Sequence, residues 1–169
     1  MAQPDRGATI RAAEPRDAIA IAEIYNHYVR TSVVTFEDEP VAATEIARRI
    51  AEVQSASLPW LVADVGSGVN GYAYATRWKN RTAYRFSVEI TVYVAPGRSG
   101  CGIGSRLYEQ LLPILQAQHV HAAIGGIALP NDASVALHEK FGFLKVAQFR
   151  EVGFKFNRWI DVGYWQRTL

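Results

Sequence analysis

An α/β (α+β) fold around a mixed sheet is predicted by three features of this chain. The β-type run Val92-Tyr93-Val94 ends at Pro96, passes through a glycine-rich turn (Gly97-Arg98-Ser99-Gly100-Cys101-Gly102-Ile103-Gly104), and opens into a helical pattern of Leu107, Leu111, Leu112 and Leu115. A second strand-to-helix unit follows downstream, and helices of that kind cross over between parallel strands. Upstream, Gly66-Ser67-Gly68 joins two apolar runs as a hairpin, whose strands must be antiparallel.

In chain order, Thr9-Ile10-Arg11-Ala12 reads as a short strand behind a flexible tail, residues 1–7. Glu14-Pro15-Arg16-Asp17 starts a helix whose apolar residues Ile19, Ala22, Ile24 and Tyr25 fall at helical spacing. Residues 44–53 give a second helix (Ile46, Ile50, Val53), capped by Thr44 or by the Pro40 turn. Residues 59–65 are a buried strand and 69–75 its hairpin partner. Residues 86–94 are expected to be the longest strand, followed by the glycine loop and its helix. Residues 122–129 make a further strand, and Pro130-Asn131-Asp132 caps a helix over 133–140 that stops at Gly142. Residues 153–169 read as two strands around Asn157-Arg158. With no repeat and no linker, residues 8–169 are expected to form one domain.

Composition excludes several function classes. Lys and Arg number 18 against 16 Asp and Glu, and this net charge of +2 is scattered without a polybasic run, so no nucleic-acid partner is expected. A lone cysteine precludes an internal disulfide and any Cys-based metal cluster, and it fits a reducing compartment. His27, His119 and His121 lack spaced carboxylate or cysteine partners, so no metal is expected. The N-terminus has no apolar signal region, and no apolar run approaches the ~20 residues of a membrane span. The expectation is a cytoplasmic enzyme with no membrane partner.

Glycines at 100, 102 and 104 let the backbone approach a bulky anion and turn its N–H groups toward it. With the helix N-terminus behind them, they suit phosphate or pyrophosphate. A Walker loop would end in Gly-Lys-Ser/Thr, but Gly104-Ser105-Arg106 has no lysine. A dinucleotide fold would place its loop after the first strand, whereas this one lies past mid-chain. A plain strand-to-helix turn remains the alternative.

Gly102-Ile103-Gly104 opening a helix, followed by Asn131-Asp132-Ala133-Ser134-Val135-Ala136-Leu137-His138-Glu139-Lys140-Phe141-Gly142-Phe143, resembles the GCN5-related N-acetyltransferase superfamily (GNAT). Tyr25-Asn26-His27-Tyr28, Val34-Thr35-Phe36, Trp78-Lys79-Asn80-Arg81 and Gly153-Phe154-Lys155 narrow the resemblance to the phosphinothricin and methionine sulfoximine acetyltransferases. It implies the GNAT fold: a mixed, mostly antiparallel central sheet flanked by helices, with two central strands splayed around acetyl-CoA. It further implies that Val92, Tyr93, Val94, Ser99, Gly100, Cys101, Gly102, Ile103, Gly104 and Ser105 hold the cofactor, with Asn131 and Ser134 beside the pantetheine and thioester. Relatives carry Gln or Arg where this chain has Ser99, so cofactor affinity is expected to be weaker. A β-bulge between Thr91 and Tyr93, with a backbone N–H there as oxyanion donor, is also implied. So is a homodimer in which Val152, Gly153, Phe154 and Lys155 reach the neighbouring site.

Alternation along residues 86–94 puts Phe86, Val88, Ile90, Val92 and Val94 on one face and Ser87, Glu89, Thr91 and Tyr93 on the other. A carboxylate in mid-strand is costly unless it is paired or employed. Glu89 could take, directly or through one water, the proton that an acceptor ammonium must lose before its nitrogen attacks a thioester in a ternary complex; a carboxylate at an exposed edge or paired with an arginine is the alternative. His138 could protonate the departing thiolate, relay a proton, or simply pack. Lys79, Arg81 and Tyr84 could hold the acid groups of an amino-acid-like acceptor, unless they form only a solvated loop, with Phe36 as a pocket wall. Cys101 is read as part of the anion loop rather than a nucleophile. Tyr108 is read as core or rim, and Asp17 and Glu139 as surface charges. Other acceptors (a different small amine or a peptide N-terminus) and a non-catalytic acyl-CoA sensor are the rival functions.

Overall fold

The computed structural model describes residues 8–66 and 68–169. The expected tail over residues 1–7 and the centre of the hairpin turn at Ser67 lie outside the described residues. Strand β1 (Thr9–Ala12) leads through a single 3-10 turn (Pro15–Asp17) into α1 (Ala18–Thr31) and then α2 (Ala43–Ser55). The antiparallel strands β2 (Trp60–Asp64), β3 (Val69–Arg77) and β4 (Ser87–Val94) follow. Next come α3 (Ile103–Ala117), β5 (Ala122–Ala128), α4 (Asp132–Lys140) and the hairpin β6 (Leu144–Lys155) and β7 (Arg158–Thr168). One sheet runs β1-β2-β3-β4-β5-β7-β6. Among the described strands only β4 and β5 pair in parallel. The crossovers point β4, β5 and β6 the same way, but β7 inserts antiparallel between the last two.

Helices cover the sheet on both faces. On one side Ile103, Leu107, Leu111 and Leu115 of α3 are buried against Leu61, Ala73, Ala75, Val88 and Ile90. On the other, Ile21, Ile24 and Val29 of α1 and Ile46, Ile50 and Val53 of α2 pack on Trp60, Val62 and Tyr72. Each such side chain contributes about 1.5–3 kcal/mol by leaving water. The Arg11 guanidinium ties β1, the entry to α1 and β2 together, with bonds of 2.7 and 2.8 Å to the two oxygens of Asp17 and 3.0 Å to Asp64. Asp17, expected on the surface, is therefore buried, and its bonds to Arg11 hold its carboxyl below the usual range.

Several expectations need correction. The N-cap of α2 is Ala42, with no side-chain cap; Thr44 already lies inside the first turn. At eight residues β4 is shorter than β3, β7 and β6, with nine, eleven and twelve. The penultimate strand, expected only from Gly153, starts at Leu144. Register shifts at Lys145/Ala147 and Phe149/Gly153 break the period-two pattern that would have marked it. The turn of the last hairpin is Phe156-Asn157, both at positive φ, one residue earlier than expected. Glu139 is not a free surface charge either, because its Oε1 accepts the indole N–H of Trp165 at 3.2 Å.

The parallel ladder between β4 and β5 is short: Ser87↔Ala122, Val88↔Ala123 and Glu89↔Ile124. Beyond Glu89, β4 stays on β3 as far as Val94 while β5 stays on β7, so the two central strands part in a wedge. The α3 helix is seated behind the wedge by Gly71. A methyl group there would lie 2.8 Å from Ile103 Cγ2 and 3.0 Å from the Tyr93 carbonyl oxygen. Gly71→Ala should therefore push the first turn of α3 off the sheet and lower stability by about 1–3 kcal/mol. Denaturant titration checks this; an unchanged midpoint would show that α3 can shift freely.

Candidate active site

The wedge opens into a cavity of about 620 Å³. One wall is β4 from Ile90 to Val94. Opposite stand Gly126, Ile127 and Ala128 of β5 and the first two turns of α4, and the floor is the glycine loop with the start of α3. The backbone groups of β4 give this cavity its polarity. Ala95 N–H bonds the Asn70 carbonyl and Trp78 N–H the Ser87 carbonyl, so the odd-numbered residues of β4 face β3. Phe86 accordingly turns its carbonyl toward β5, to His121 and Ala122. By the same parity the last rung, Glu89↔Ile124, takes the Ile90 N–H, while the Ile90 carbonyl and the peptide groups of Val92 and Val94 point into the wedge, where no strand pairs with them. Tyr28 donates its hydroxyl to the Val94 carbonyl at 2.6 Å.

At the loop, Gly97, Gly100 and Gly102 have φ of +76, +79 and +82, and nothing lies within 4 Å of where their side chains would begin. Gly102 is the N-cap of α3 and provides no side-chain cap. The first helical bond is Arg106 N–H to the Gly102 carbonyl, so the N–H groups of Ile103, Gly104 and Ser105 have no helical partner. Orphan donors at a helix N-terminus suit a pyrophosphate, and the open edge of β4 suits an amide-bearing arm. The residues present thus fit coenzyme A.

Of the residues expected at the cofactor, Val92, Tyr93, Val94, Ser99, Gly100, Gly102, Ile103, Gly104, Ser105, Asn131 and Ser134 all line the cavity. Cys101 does not: its side chain is buried in the core under the loop, with its Sγ near the Ser99 carbonyl. Asn131 caps α4, its Oδ1 accepting the Ser134 N–H at 3.1 Å. The implied bulge is absent, since β4 runs on β3 without a shift from Gly71↔Val94 to Arg77↔Val88. Tyr93 N–H therefore faces β3, and the donors open to the cavity are those of Val92 and Val94. Sequence reasoning missed Tyr28, Val34 and Lys140, which also line it. The tyrosine pair at 25 and 28 was a visible signal, whereas Lys140 reaches the loop only through folding, bonding Ser105 Oγ at 2.9 Å.

His138 reaches the cavity wall but is only 3% exposed. Its Nδ1 lies 2.8 Å from the Ser134 carbonyl, an acceptor only, so Nδ1 carries the proton. Burial favours the neutral ring and lowers its pKa, outweighing the hydrogen bond to that carbonyl, which acts in the opposite direction. Nε2 then accepts the hydroxyl of Tyr108 at 3.0 Å, and Tyr108, fully buried, keeps its proton. Tyr108 is core, and it fixes the histidine tautomer. Gly125 leaves the space that the imidazole occupies; any side chain there would collide with it.

Glu89 lies on the other face of β4, half-buried, where the parallel ladder ends. Burial raises its pKa, and the nearby Lys79 charge partly offsets this. The residues expected at the acceptor are not gathered on the cavity wall. Lys79 lies over the Trp78 ring, 4.9 Å from its centroid, while Arg81 is the N-cap of the 3-10 turn Thr82–Tyr84 and Tyr84 its last residue. The Phe36 ring packs against Gly153, and Phe154 against Trp159 at 4.9 Å between centroids. Lys155 turns inward instead: it is buried, and its ammonium donates to the Thr35 carbonyl at 2.8 Å. Among the described residues, no helix is long and apolar enough to cross a membrane, and no three His, Cys, Asp or Glu side chains converge to hold a metal.

Comparison with known proteins gives the same answer at both levels. Phosphinothricin N-acetyltransferase of Streptomyces viridochromogenes is 42% identical over 169 residues, all of this chain and 92% of that protein. The L-methionine sulfoximine/L-methionine sulfone acetyltransferase of Salmonella typhimurium is 36% identical, covering 95% of this chain and 94% of its own. The solved structure of a phosphinothricin acetyltransferase from Sinorhizobium meliloti in complex with acetyl-CoA superposes with a TM-score of 0.92 at 38% identity, covering 96% of this chain and 89% of that one. The sequence model of the acetyltransferase (GNAT) domain matches residues 10–163. A splayed strand pair, an uncapped glycine loop and full-length relatives together establish that this chain belongs to the GNAT acetyltransferase family.

Proposed function

We propose that this enzyme moves the acetyl group of acetyl-CoA to the primary amine of a phosphinothricin- or methionine sulfoximine-like amino acid, within one domain over residues 8–169. The observation that carries the reading is Glu89, a desolvated carboxylate at the point where β4 and β5 part, with Lys79 nearby. The full-length relatives named for those two acceptors support it. Glu89 takes the ammonium proton, directly or through one water, and the freed nitrogen attacks the thioester carbonyl without an acyl-enzyme. Val92 and Val94 N–H groups stabilise the oxyanion. Held as the Nδ1–H tautomer, His138 orders the wall beside Ser134 and Asn131. Lys79, Arg81 and Tyr84 hold the acceptor's acid groups, and Phe36 and Phe154 wall the entrance. Lys155 serves the same site from behind, by fixing the loop that carries Phe36. The single cysteine suits the reducing cytoplasm.

The enzyme works as a homodimer in this reading. β6 is an edge strand that leaves Leu144 at 72%, Val152 at 59% and, with the adjoining turn and β7, Trp159 at 61% exposure. Large apolar side chains left exposed along a sheet edge are a liability in a monomer. Sedimentation equilibrium should give twice the monomer mass, and Val152→Glu should halve it; a monomeric wild type would remove the dimer.

Thiol release from acetyl-CoA, offered phosphinothricin, methionine sulfoximine, spermidine or a short peptide in turn, tests the acceptor class. Turnover with either of the first two is expected. Turnover with spermidine or peptide alone would overturn the anionic pocket, and cofactor binding without turnover of any amine would favour a sensor. Glu89→Gln should lower kcat by ~10²-fold with acetyl-CoA affinity unchanged. Because the raised pKa keeps Glu89 protonated to a higher pH than an ordinary glutamate, the acid limb of kcat/KM should lie above the usual carboxylate range and vanish in the variant. Unchanged kcat would remove Glu89 from the chemistry. Replacing Lys79 and Arg81 together by alanine should raise KM for the amino acid and leave that for acetyl-CoA alone. An equal rise in both would assign these residues to the cofactor or the fold.

A further inference from the structure

On the Glu89 face, α1 and α2 pack on β2, β3 and β4, and the sheet continues past them into β5, β7 and β6. A cluster of aromatic rings that no role above employs stands there. Tyr164 of β7 sits directly opposite Gly126 of β5. A β-carbon on Gly126 would lie 3.2 Å from Glu89 Oε1 and equally 3.2 Å from Tyr164 Cε1, so the carboxylate and the ring border the same point, kept open by a missing side chain. Trp78 closes one side with its ring edge-on to Tyr164 (5.6 Å between centroids, 79°). Phe149 of β6 closes the other in the same manner (5.6 Å, 82°) and remains 55% exposed. Burial, and then the Glu89 charge, hold the Tyr164 phenol above its ordinary range, so it stays neutral. The corner therefore combines one carboxylate, one ammonium at Lys79 lying over Trp78, and three ring surfaces.

We propose that Tyr164, flanked by Trp78 and Phe149, is the subsite for the acceptor's side chain and selects a short chain ending in a methyl-bearing group. The proposal rests on the amino-acid acceptor reading above. An amino acid whose ammonium meets Glu89 and whose carboxylate meets Lys79 has its third substituent left to place, and the remaining surface of this corner is aromatic. Ring faces attract methyl hydrogens and exclude water from them. A side chain too short to reach the rings gains none of this contact, which makes the subsite selective as well as adhesive.

The test compares two acceptors in wild type, Tyr164→Leu and Phe149→Ala: methionine sulfoximine, which fills the subsite, and alanine, which does not reach it. In Tyr164→Leu, kcat/KM for methionine sulfoximine should fall by roughly 10-fold or more while that for alanine and the KM for acetyl-CoA stay put, so that selectivity collapses. Phe149→Ala changes a half-exposed ring that folding tolerates, and should shift the ratio in the same direction by less. Equal losses on both acceptors, an unchanged ratio, or a raised KM for acetyl-CoA would overturn the subsite and leave Tyr164 as a support for Glu89. A wild type that acetylates neither amino acid would overturn the acceptor reading itself, an outcome seen before any variant is made.

Discussion

Everything at the site depends on the parallel ladder stopping at Glu89↔Ile124. A sheet that parts in its middle leaves peptide groups without strand partners, and buried peptide groups without partners are costly. The structure meets that demand unevenly. Tyr28 satisfies the Val94 carbonyl from α1, while the Ile90 carbonyl and the groups of Val92 stay directed into the wedge. The opening persists because both sides are braced independently: β4 by seven residues of unbroken register on β3, and β5 by seven on β7. Consecutive glycines in β5 then make each face usable. Gly125 admits the His138 ring on the α4 side, and Gly126 leaves space between Glu89 and Tyr164 on the other.

This bracing also explains why the two halves of the site differ in character. The cofactor side is made of backbone and of side chains locked by secondary structure, as with Asn131 at the cap of α4 and His138 between Ser134 and Tyr108. The acceptor side, as proposed, is made of long side chains on turns and on a strand edge: Lys79, Arg81, Tyr84 and Phe154. Donors fixed by a strand and a helix terminus bind one constant ligand, whereas turn-borne side chains can be exchanged without disturbing the sheet.

Local signals made much of this legible from the sequence. The glycine loop and the leucines of α3 reveal themselves by periodicity, Asn131 by its place ahead of a helix, and Glu89 by being a carboxylate on a strand. Where long-range pairing decides the outcome, sequence reading failed. β6 was missed over residues 144–152 because two register shifts scramble its alternation. Asp17 looked like a surface charge because its partner Arg11 lies in another element. Lys155 was expected to reach the neighbouring subunit's site, but its ammonium is held by the Thr35 carbonyl, 120 residues away in the chain. Tyr164 and Gly126 gave no sign at all, since their significance comes from facing each other across β7 and β5.

The bare first turn of α3 has a consequence beyond chemistry. Gly102 leaves three amide donors without a side-chain cap, so an anion in the loop completes the helix terminus. A ligand that binds the folded chain and not the unfolded one adds RT ln(1 + [L]/Kd) to stability, about 2.7 kcal/mol at a hundredfold excess over Kd. The fraction of this enzyme that is folded at any moment, and hence its lifetime against proteolysis, is therefore tied to the acetyl-CoA concentration around it. A cell depleted of that metabolite holds a less durable protein as well as a less active one.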